Sequence, residues 1–415
     1  MKKEQLIKIE EIKPYEKNAK KHPVKQINKI AESIKEFGFN QPLVLDKKKM
    51  IIVGHGRYEA AQILNLKEIP CIVVDLDEKQ ARAYRLADNK LNESDWDMDL
   101  VIEELKLLDK EKIEITGFDT DLIIEIKEDD FDAGKEYEKI KEPKAKVGDI
   151  YQLGRHRLMC GDSASREDVE KLMDGNLGRM IFTDPPYNVN YKSPGGLDYS
   201  STKFGGTGGK IFNDNKSDKD CVDFYTDILF NLYHFTTDDV TIYWWFANKN
   251  NHLNRFAFEN AGWHMSQIII WLKNSMVFSR GQDYHRQYEP CVVGWKKKKT
   301  HYKNKKINNL KDVFNLDFDD YNEMLDVWFE KRDVTQNYVH PTQKPLRLPE
   351  RALKKNSEKN DIVIDLFGGS GSTLMACQQL DRVCYSMELD PKYVDVIIKR
   401  YENYTGQKAK KVSQT

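Results

Sequence analysis

Apolar positions along the chain fall into two stretches separated by a charged one. In the first, from about Leu6 to Leu91, Ile27, Ile30 and Ile34 recur at helical spacing, which predicts an amphipathic helix over Ile27 to Phe37. Pro42-Leu43-Val44-Leu45 and Ile51-Ile52-Val53 read as short strands. Gly54-His55-Gly56-Arg57 follows the second of these and opens a helix from Tyr58 to Leu64. From about Asp95 to Lys146 charge dominates, with Glu128-Asp129-Asp130 and Lys135 to Lys139, and a partly helical connection is predicted.

Apolar runs return after Val147-Gly148-Asp149. Arg179 to Thr183 reads as a buried strand running into Asp184-Pro185-Pro186-Tyr187, and Val240 to Phe246 and Gln267 to Trp271 as further core strands. Gly205-Gly206 and Gly208-Gly209 mark a mobile loop. Asp361 to Leu366 is predicted as strand, Phe367 to Ser372 as a tight loop and Thr373 to Leu380 as helix; Val383 to Met387 is strand again, and Pro391 to Tyr404 helix. That alternation predicts a parallel sheet with helices packed on its faces. The domain plan is therefore 1–95, a charged linker 96–145, a larger domain 146–407 and a basic tail 408–415.

Composition narrows the partners. The chain has 415 residues, 40% hydrophobic and 32% charged, enough for two domains with real cores. No run approaches the roughly 18 to 20 apolar residues that span a bilayer, and Met1-Lys2-Lys3-Glu4 lacks a signal peptide's apolar run, so a cytoplasmic protein without membrane contact is expected. A net charge of −1 excludes a protein that coats nucleic acid through its whole surface. Basic charge is local: Lys296, Lys297, Lys298 and Lys299, with Lys303, Lys305 and Lys306 behind them, and Lys408, Lys410 and Lys411 in the tail. The first cluster reads equally well as a solvated loop or as a set of DNA phosphate contacts. The six cysteines contain no C-x-x-C pair and read as reduced, buried thiols; no metal-ligand cluster stands out. Trp244, Trp245, Trp263 and Trp271 read as core.

Two motifs carry chemistry. Gly368, Gly369 and Gly371 lie between a strand and a helix, where glycine lets the chain turn and a ligand approach the backbone, and where a helix start offers free N–H groups. Glu388 ends the next strand, roughly 20 residues on, where an acid can bind both hydroxyls of a ribose. Alone this fits any adenosine-containing cofactor. Asp184-Pro185-Pro186-Tyr187 sits at the carboxyl edge of the sheet, and its prolines remove two N–H groups and leave carbonyls. The Asp184 carboxylate and the Pro185 carbonyl can each accept a hydrogen from the exocyclic amine of a base. Both acceptors return the nitrogen lone pair to the nitrogen and stabilise the positive charge that develops on methylation. Tyr187 can stack on the base and align it. A base in a duplex must be flipped out to reach such a site.

Asp184 to Tyr187, then His340-Pro341-Thr342-Gln343-Lys344-Pro345, then Asp365-Leu366-Phe367-Gly368-Gly369-Ser370-Gly371 resemble the amino methyltransferases of DNA, in the motif order of the group called beta. The resemblance implies a Rossmann-like α/β S-adenosylmethionine-dependent methyltransferase, a mixed sheet of about seven strands with helices on both faces. It implies cofactor contacts from Asp162 and Ser163, Thr342 and Lys344, and Asp365, Phe367, Gly368, Gly369, Ser370, Gly371 and Glu388. The loop reads Phe-Gly-Gly-Ser-Gly-Ser where Phe-x-Gly-Ser-Gly-Thr is common, with small residues kept. An aspartate at the first motif position, Asp184, favours N6 of adenine over N4 of cytosine. Target recognition is expected within 248–335, double-stranded DNA is the implied partner, and dimerisation is frequent in the group.

Ile34 to Leu45, Gly54 to Ala60 and Ala87-Asp88-Asn89 resemble the amino-terminal domain of ParB, a small α+β domain. Gly56 stands where an arginine is frequent, which weighs against nucleotide turnover. Such a domain joined to a methyltransferase is familiar in phage and mobile-element proteins, and restriction–modification is the related setting. Two other classes compete: an N4-cytosine methyltransferase, and a DNA-binding protein that keeps a degenerate methyltransferase fold.

Overall fold

The computed structural model describes residues 4–16, 22–91, 98–109, 112–113, 116, 118, 123–124, 126–189, 213–277, 283–304, 327–329 and 344–412. The glycine-rich stretch at Gly205 to Gly209, Lys305, Lys306 and Thr342 lie outside the described residues. The chain divides into two units, Met1–Glu125 and Ile126–Thr415.

In the first unit, β1 (Glu4–Lys8) is followed by α1 (Val24–Phe37), β2 (Leu43–Asp46), β3 (Ile51–Val53), α2 (His55–Ile63), β4 (Glu68–Val74), α3 (Glu78–Leu91) and α4 (Met98–Lys106). The strands form a mixed sheet in the order β1-β4-β2-β3, of which only β4 and β2 run parallel. Leu43, Leu45, Ile51, Ile69 and Cys71 alternate into one core with Tyr58 and Ala61 of α2. Ile27 and Ala31 of α1 pack on Ala60, as the isoleucine spacing requires. Gly38 ends α1 at φ 84° and Gly54 starts α2 at φ 103°, backbone angles that disfavour side chains.

The second unit contains α5 (Ala133–Lys139), β5 (Ile150–Leu153), β6 (His156–Cys160), α6 (Arg166–Met173), β7 (Gly178–Thr183), α7 (Asp218–His234), β8 (Thr236–Trp245) and α8 (Asn251–Asn260). It continues with β9 (Trp263–Val277), β10 (Arg286–Lys296), β11 (Val327–Phe329), α9 (Arg347–Asn356), β12 (Ile362–Asp365), α10 (Ser372–Gln379), β13 (Val383–Glu388), α11 (Pro391–Thr405) and β14 (Lys410–Lys411). One sheet of ten strands runs β11-β9-β10-β8-β7-β12-β13-β6-β5-β14. Its middle is the mixed seven-strand set that the sequence implies; β5 and β14 extend one edge and β11 the other. From β6 to β8 neighbours are parallel, whereas β10 is antiparallel to both β8 and β9.

Both faces are covered. Ile181, Ile242, Trp244, Ile364 and Met387 pack with residues of α6, α7 and α8. On the other face the Tyr243 hydroxyl donates to Asn356 Oδ1 of α9 at 2.6 Å. Trp244, Trp245, Trp263 and Trp271 are all buried, and Trp263 donates its indole N–H to the Leu229 carbonyl at 2.9 Å. All six cysteines are buried and free. Among the described residues no helix is long and apolar enough to cross a membrane.

Residues 126–145, read from the sequence as the end of a linker, lie in the second unit. Glu128 accepts from the backbone N–H groups of Leu346 and Arg347 at the start of α9, and the Tyr137 hydroxyl donates to Asp390 at 2.9 Å. The tail is also held: Lys411 pairs with Asp149 at 2.6 Å and Lys408 with Glu402 at 2.7 Å.

At Gly294 the β9–β10 register shifts, and a Cβ there would lie 2.2 Å from the His264 carbonyl oxygen. Gly294→Ala is therefore expected to push the two backbones apart and lower stability by about 1–3 kcal/mol, read as a lower midpoint in urea unfolding of the full chain. A midpoint unchanged from the parent would show that the strands do not approach this closely.

Candidate active site

Parallel strands bring their carboxyl ends to one edge, and that edge collects Asp184 after β7, Asp365 and the glycine loop after β12, Glu388 at the end of β13 and Gly161-Asp162 after β6. Asp184 follows the apolar strand Arg179 to Thr183, so its carboxylate emerges where the strand leaves the core. Its side chain is a quarter exposed. The turn that carries it is braced: Tyr225 donates to the Pro186 carbonyl, and Asn250 Nδ2 donates to the carbonyls of Tyr187 and Asn188 at 2.6 and 3.0 Å.

Four charged side chains and one phenol meet there. The Lys344 ammonium donates to Asp184 Oδ2, and the Tyr187 hydroxyl donates to Asp184 Oδ1 at 2.7 Å. Glu289 of β10 stands 3.3 Å from the Tyr187 hydroxyl and 3.6 Å from Lys344 Nζ, and it pairs with Lys273 of β9. Burial pushes the Asp184 carboxyl above its ordinary range, with Lys344 pulling the other way. Burial draws the Lys344 ammonium down, but the Asp184 and Glu289 carboxylates outweigh it and the net shift is upward. Lys344 Nζ also lies 5.0 Å from the centre of the Trp245 ring.

The glycine loop and its flanking carboxylates stand at the same sheet edge as this cluster. Asp365, 4% exposed, accepts from Thr183 Oγ1 at 3.0 Å and from the Phe367 N–H at 3.1 Å. Burial pushes its carboxyl up to about 7 despite those bonds. Glu388 accepts from the N–H groups of Gly369 and Asp390 at 2.8 and 2.9 Å, and burial raises it to about 7 as well. Gly369 has φ 52°, and the nearest atom to a Cβ there would be the Phe367 carbonyl oxygen at 3.9 Å, so its outer side is open for a ligand's approach. Gly368 is packed instead, with a Cβ position 2.7 Å from Ser386 Oγ. Asp162 is exposed and its carboxylate caps the Ala164 N–H at 3.0 Å.

Other expected residues have partners of their own. Ser163 is buried and donates its hydroxyl to the Leu366 carbonyl at 2.6 Å, so it braces two loops against each other and does not present that donor to a ligand. Lys344, expected beside a cofactor, reaches Asp184 with its ammonium while its carbonyl accepts from Ser372 Oγ at 2.8 Å. The lysine run is at the other end of the sheet. β10 enters at the catalytic edge near Glu289 and leaves at Lys296, about 23 Å further at roughly 3.3 Å per residue. Lys296 is buried and donates to the Thr236 carbonyl at 2.8 Å, and Lys299 pairs with Asp238 at 2.8 Å. Neither is a phosphate contact beside Asp184. Sequence reasoning missed Glu289 and Lys273; the one signal was a charged residue inside each of two otherwise apolar or aromatic runs, Tyr288-Glu289-Pro290-Cys291 and Trp271-Leu272-Lys273.

Arg400 holds the glycine loop from behind. Its guanidinium, 2% exposed, donates to the Ser370 carbonyl at 2.9 Å and forms a two-pronged pair with Asp129 at 2.6 and 2.7 Å. Asp129→Ala would leave that charge buried without its carboxylate, and is expected to cost roughly 3–5 kcal/mol in urea unfolding. A loss below about 1 kcal/mol would mean that water or another group replaces Asp129 freely.

A family model described as DNA methylase matches residues 179–400. The ParB N-terminal domain model matches residues 1–90. The chain is 41% identical over 76 residues to the ParB-like nuclease domain-containing protein YnaK of Escherichia coli strain K12, covering 18% of this chain and 87% of that protein. It is 26% identical over 247 residues to the type II methyltransferase M.BglII of Bacillus subtilis, covering 52% of this chain and 61% of that one, so it spans less than two thirds of that relative's length. The crystal structure of the M1.HpyAVI-SAM complex aligns over 59% of this chain and 98% of its own, at 21% identity and a TM-score of 0.39. The chain belongs to the DNA methylase family and carries a ParB N-terminal domain ahead of its methylase domain.

Proposed function

We propose that this protein transfers a methyl group from S-adenosylmethionine to the N6 amine of an adenine flipped out of double-stranded DNA. The observation that carries this reading is the placement of Asp184 at the same sheet edge as the Gly368–Gly371 loop and Glu388, braced by its own turn and lined by Tyr187. The residues present fit the cofactor. The Glu388 carboxylate, already oriented by two backbone N–H groups, keeps lone pairs for ribose hydroxyls, and Gly369 leaves the approach open. Asp365 suits the ammonium of the methionine part, and Asp162 suits the adenine amine. When bound, S-adenosylmethionine supplies an electrophilic methyl on sulfur, which leaves as a thioether.

The chain's own residues do the rest. Asp184 Oδ and the Pro185 carbonyl accept hydrogen bonds from the two amine hydrogens, which turns the nitrogen lone pair out of the ring and stabilises the charge that develops on nitrogen; after methyl transfer one of those protons leaves to Asp184 or water, giving the neutral N-methyl product. The Pro186 carbonyl is already taken by Tyr225, which leaves Pro185 as the proline carbonyl for this role. The Tyr187 ring flanks the base and fixes its approach. Base flipping costs a few kcal/mol, offset by these contacts. The aspartate at position 184 favours adenine; N4 of cytosine is the alternative acceptor, with the same donors and the same geometry.

DNA from cells lacking their own methylation but expressing the protein is expected to contain N6-methyladenine on digestion and mass spectrometry. Asp184→Ala should lower turnover on the order of 100-fold or more while the fold is retained. N4-methylcytosine would keep the site and overturn the choice of base. Neither modified base would sink the reading.

A pH dependence follows from Asp365 and Glu388. Both are raised to about 7 in the folded protein, and on this reading both meet the cofactor as carboxylates. Binding should therefore release protons. Affinity should be full above pH 8 and fall as pH drops through 7, by up to roughly tenfold for each group between pH 8 and 6. Calorimetry in buffers of different ionisation enthalpy reads both effects, and a flat profile over this range would show that these carboxylates do not face the ligand.

A further inference from the structure

Both oxygens of the Asp184 carboxylate already accept a protein donor, Lys344 on Oδ2 and Tyr187 on Oδ1. Each oxygen keeps a further lone pair, so an incoming amine can still bind, but it shares the carboxylate with donors, one of them an ammonium, that draw off the electron density that activates it. A second acceptor stands within reach of both donors. Glu289 Oε2 is 3.3 Å from the Tyr187 hydroxyl and 3.6 Å from Lys344 Nζ, while its other oxygen is held by Lys273, itself 5% exposed. Carboxylate and ammonium thus alternate as Asp184, Lys344, Glu289 and Lys273, with no net charge.

Two physical constraints act on this row. An ammonium stripped of its partner in a buried site is unfavourable, so Lys344 cannot simply release Asp184. An ammonium left against Asp184 would also repel the positive charge growing on the amine nitrogen. A short swing of Lys344 toward Glu289, closing 3.6 Å to about 2.8 Å, satisfies both.

We propose that Glu289 is a positioning residue that takes over Lys344 and Tyr187 from Asp184 as the target base enters, and so frees the Asp184 carboxylate for the amine. The proposal rests on the methyl-transfer reading above. It assigns to a strand of the β9–β10 hairpin a part in the reaction that the Asp184 to Tyr187 motif does not contain.

The test is turnover at saturating cofactor on DNA from a methylation-free host, for the parent, Glu289→Gln, and the charge-balanced Lys273→Met/Glu289→Gln, which leaves no lysine stranded if the single variant folds poorly. Expected is a fall in kcat of at least tenfold in the Glu289 variants, with cofactor affinity by calorimetry within threefold of the parent. Adding Lys344→Met to Glu289→Gln should cost nothing further or restore part of the rate, because the competing ammonium is gone. A purely structural role for Glu289 predicts instead that the two losses multiply, and that result overturns the proposal. So does a parent-like kcat in both Glu289 variants while the parent methylates DNA, an outcome that leaves the methyl-transfer reading intact. A parent that methylates no DNA removes that reading, and this inference with it.

Discussion

The methylase unit depends on a charge pair that the chain closes across 160 residues. Asp184 at the end of β7 meets Lys344 just before α9. The two groups are placed by different parts of the chain. Asp184 is carried out of the core by an apolar strand, and Lys344 is pinned by the bond from Ser372 Oγ, at the first residue of the helix that follows the glycine loop, to its carbonyl. Asp184 is therefore joined through Lys344 to the start of the helix that follows the glycine loop. Any shift of the start of α10 is felt at Asp184 through one lysine side chain, in a site where burial amplifies each electrostatic contact.

The same loop is held from the opposite side by Arg400, which is fixed in turn by Asp129. This ties the last part of the charged stretch to the methylase unit. Glu128 and Asp129 place acceptors against a backbone terminus and a guanidinium, and Tyr137 donates its hydroxyl to a carboxylate, all in the methylase unit. Composition alone suggested a spacer. Charge content measures how well a segment is solvated in isolation; it does not report whether buried partners elsewhere are waiting for those charges.

Strands and helices whose apolar pattern is set by two-sided burial were legible. Ile362–Asp365, Val383–Glu388 and Gly178–Thr183 fall close to where their apolar runs place them, and so does the glycine loop between strand and helix. The antiparallel half was not. β9 runs from Trp263 to Val277, far beyond the apolar segment Gln267 to Trp271, and β10 carries Glu289 and Pro290 within it. Glu289 breaks the apolar pattern at the edge where it meets Lys273 and Lys344, since a buried charge is tolerated if another charge meets it. The site was legible to the same degree. Asp184, Asp365 and Glu388 stand at strand ends, which a sequence shows, but Glu289 and Lys273 come to the Lys344–Tyr187 cluster only through the pairing of a hairpin with β8.

That hairpin also separates two roles that the sequence had merged. The segment 248–335 was expected to hold target recognition, and its lysine run was the obvious basic patch. β10 crosses the sheet between the two. Its Glu289 end enters the catalytic cluster, and its Lys296 end is tied down at the start of β8 by the Thr236 carbonyl. An antiparallel strand has no choice in this, because a side chain gained at one edge puts residues seven positions later at the other. Of the lysines at the far edge, Lys296 is held by the Thr236 carbonyl and the Tyr233 ring and Lys299 by Asp238, while Lys297 and Lys298 are exposed there.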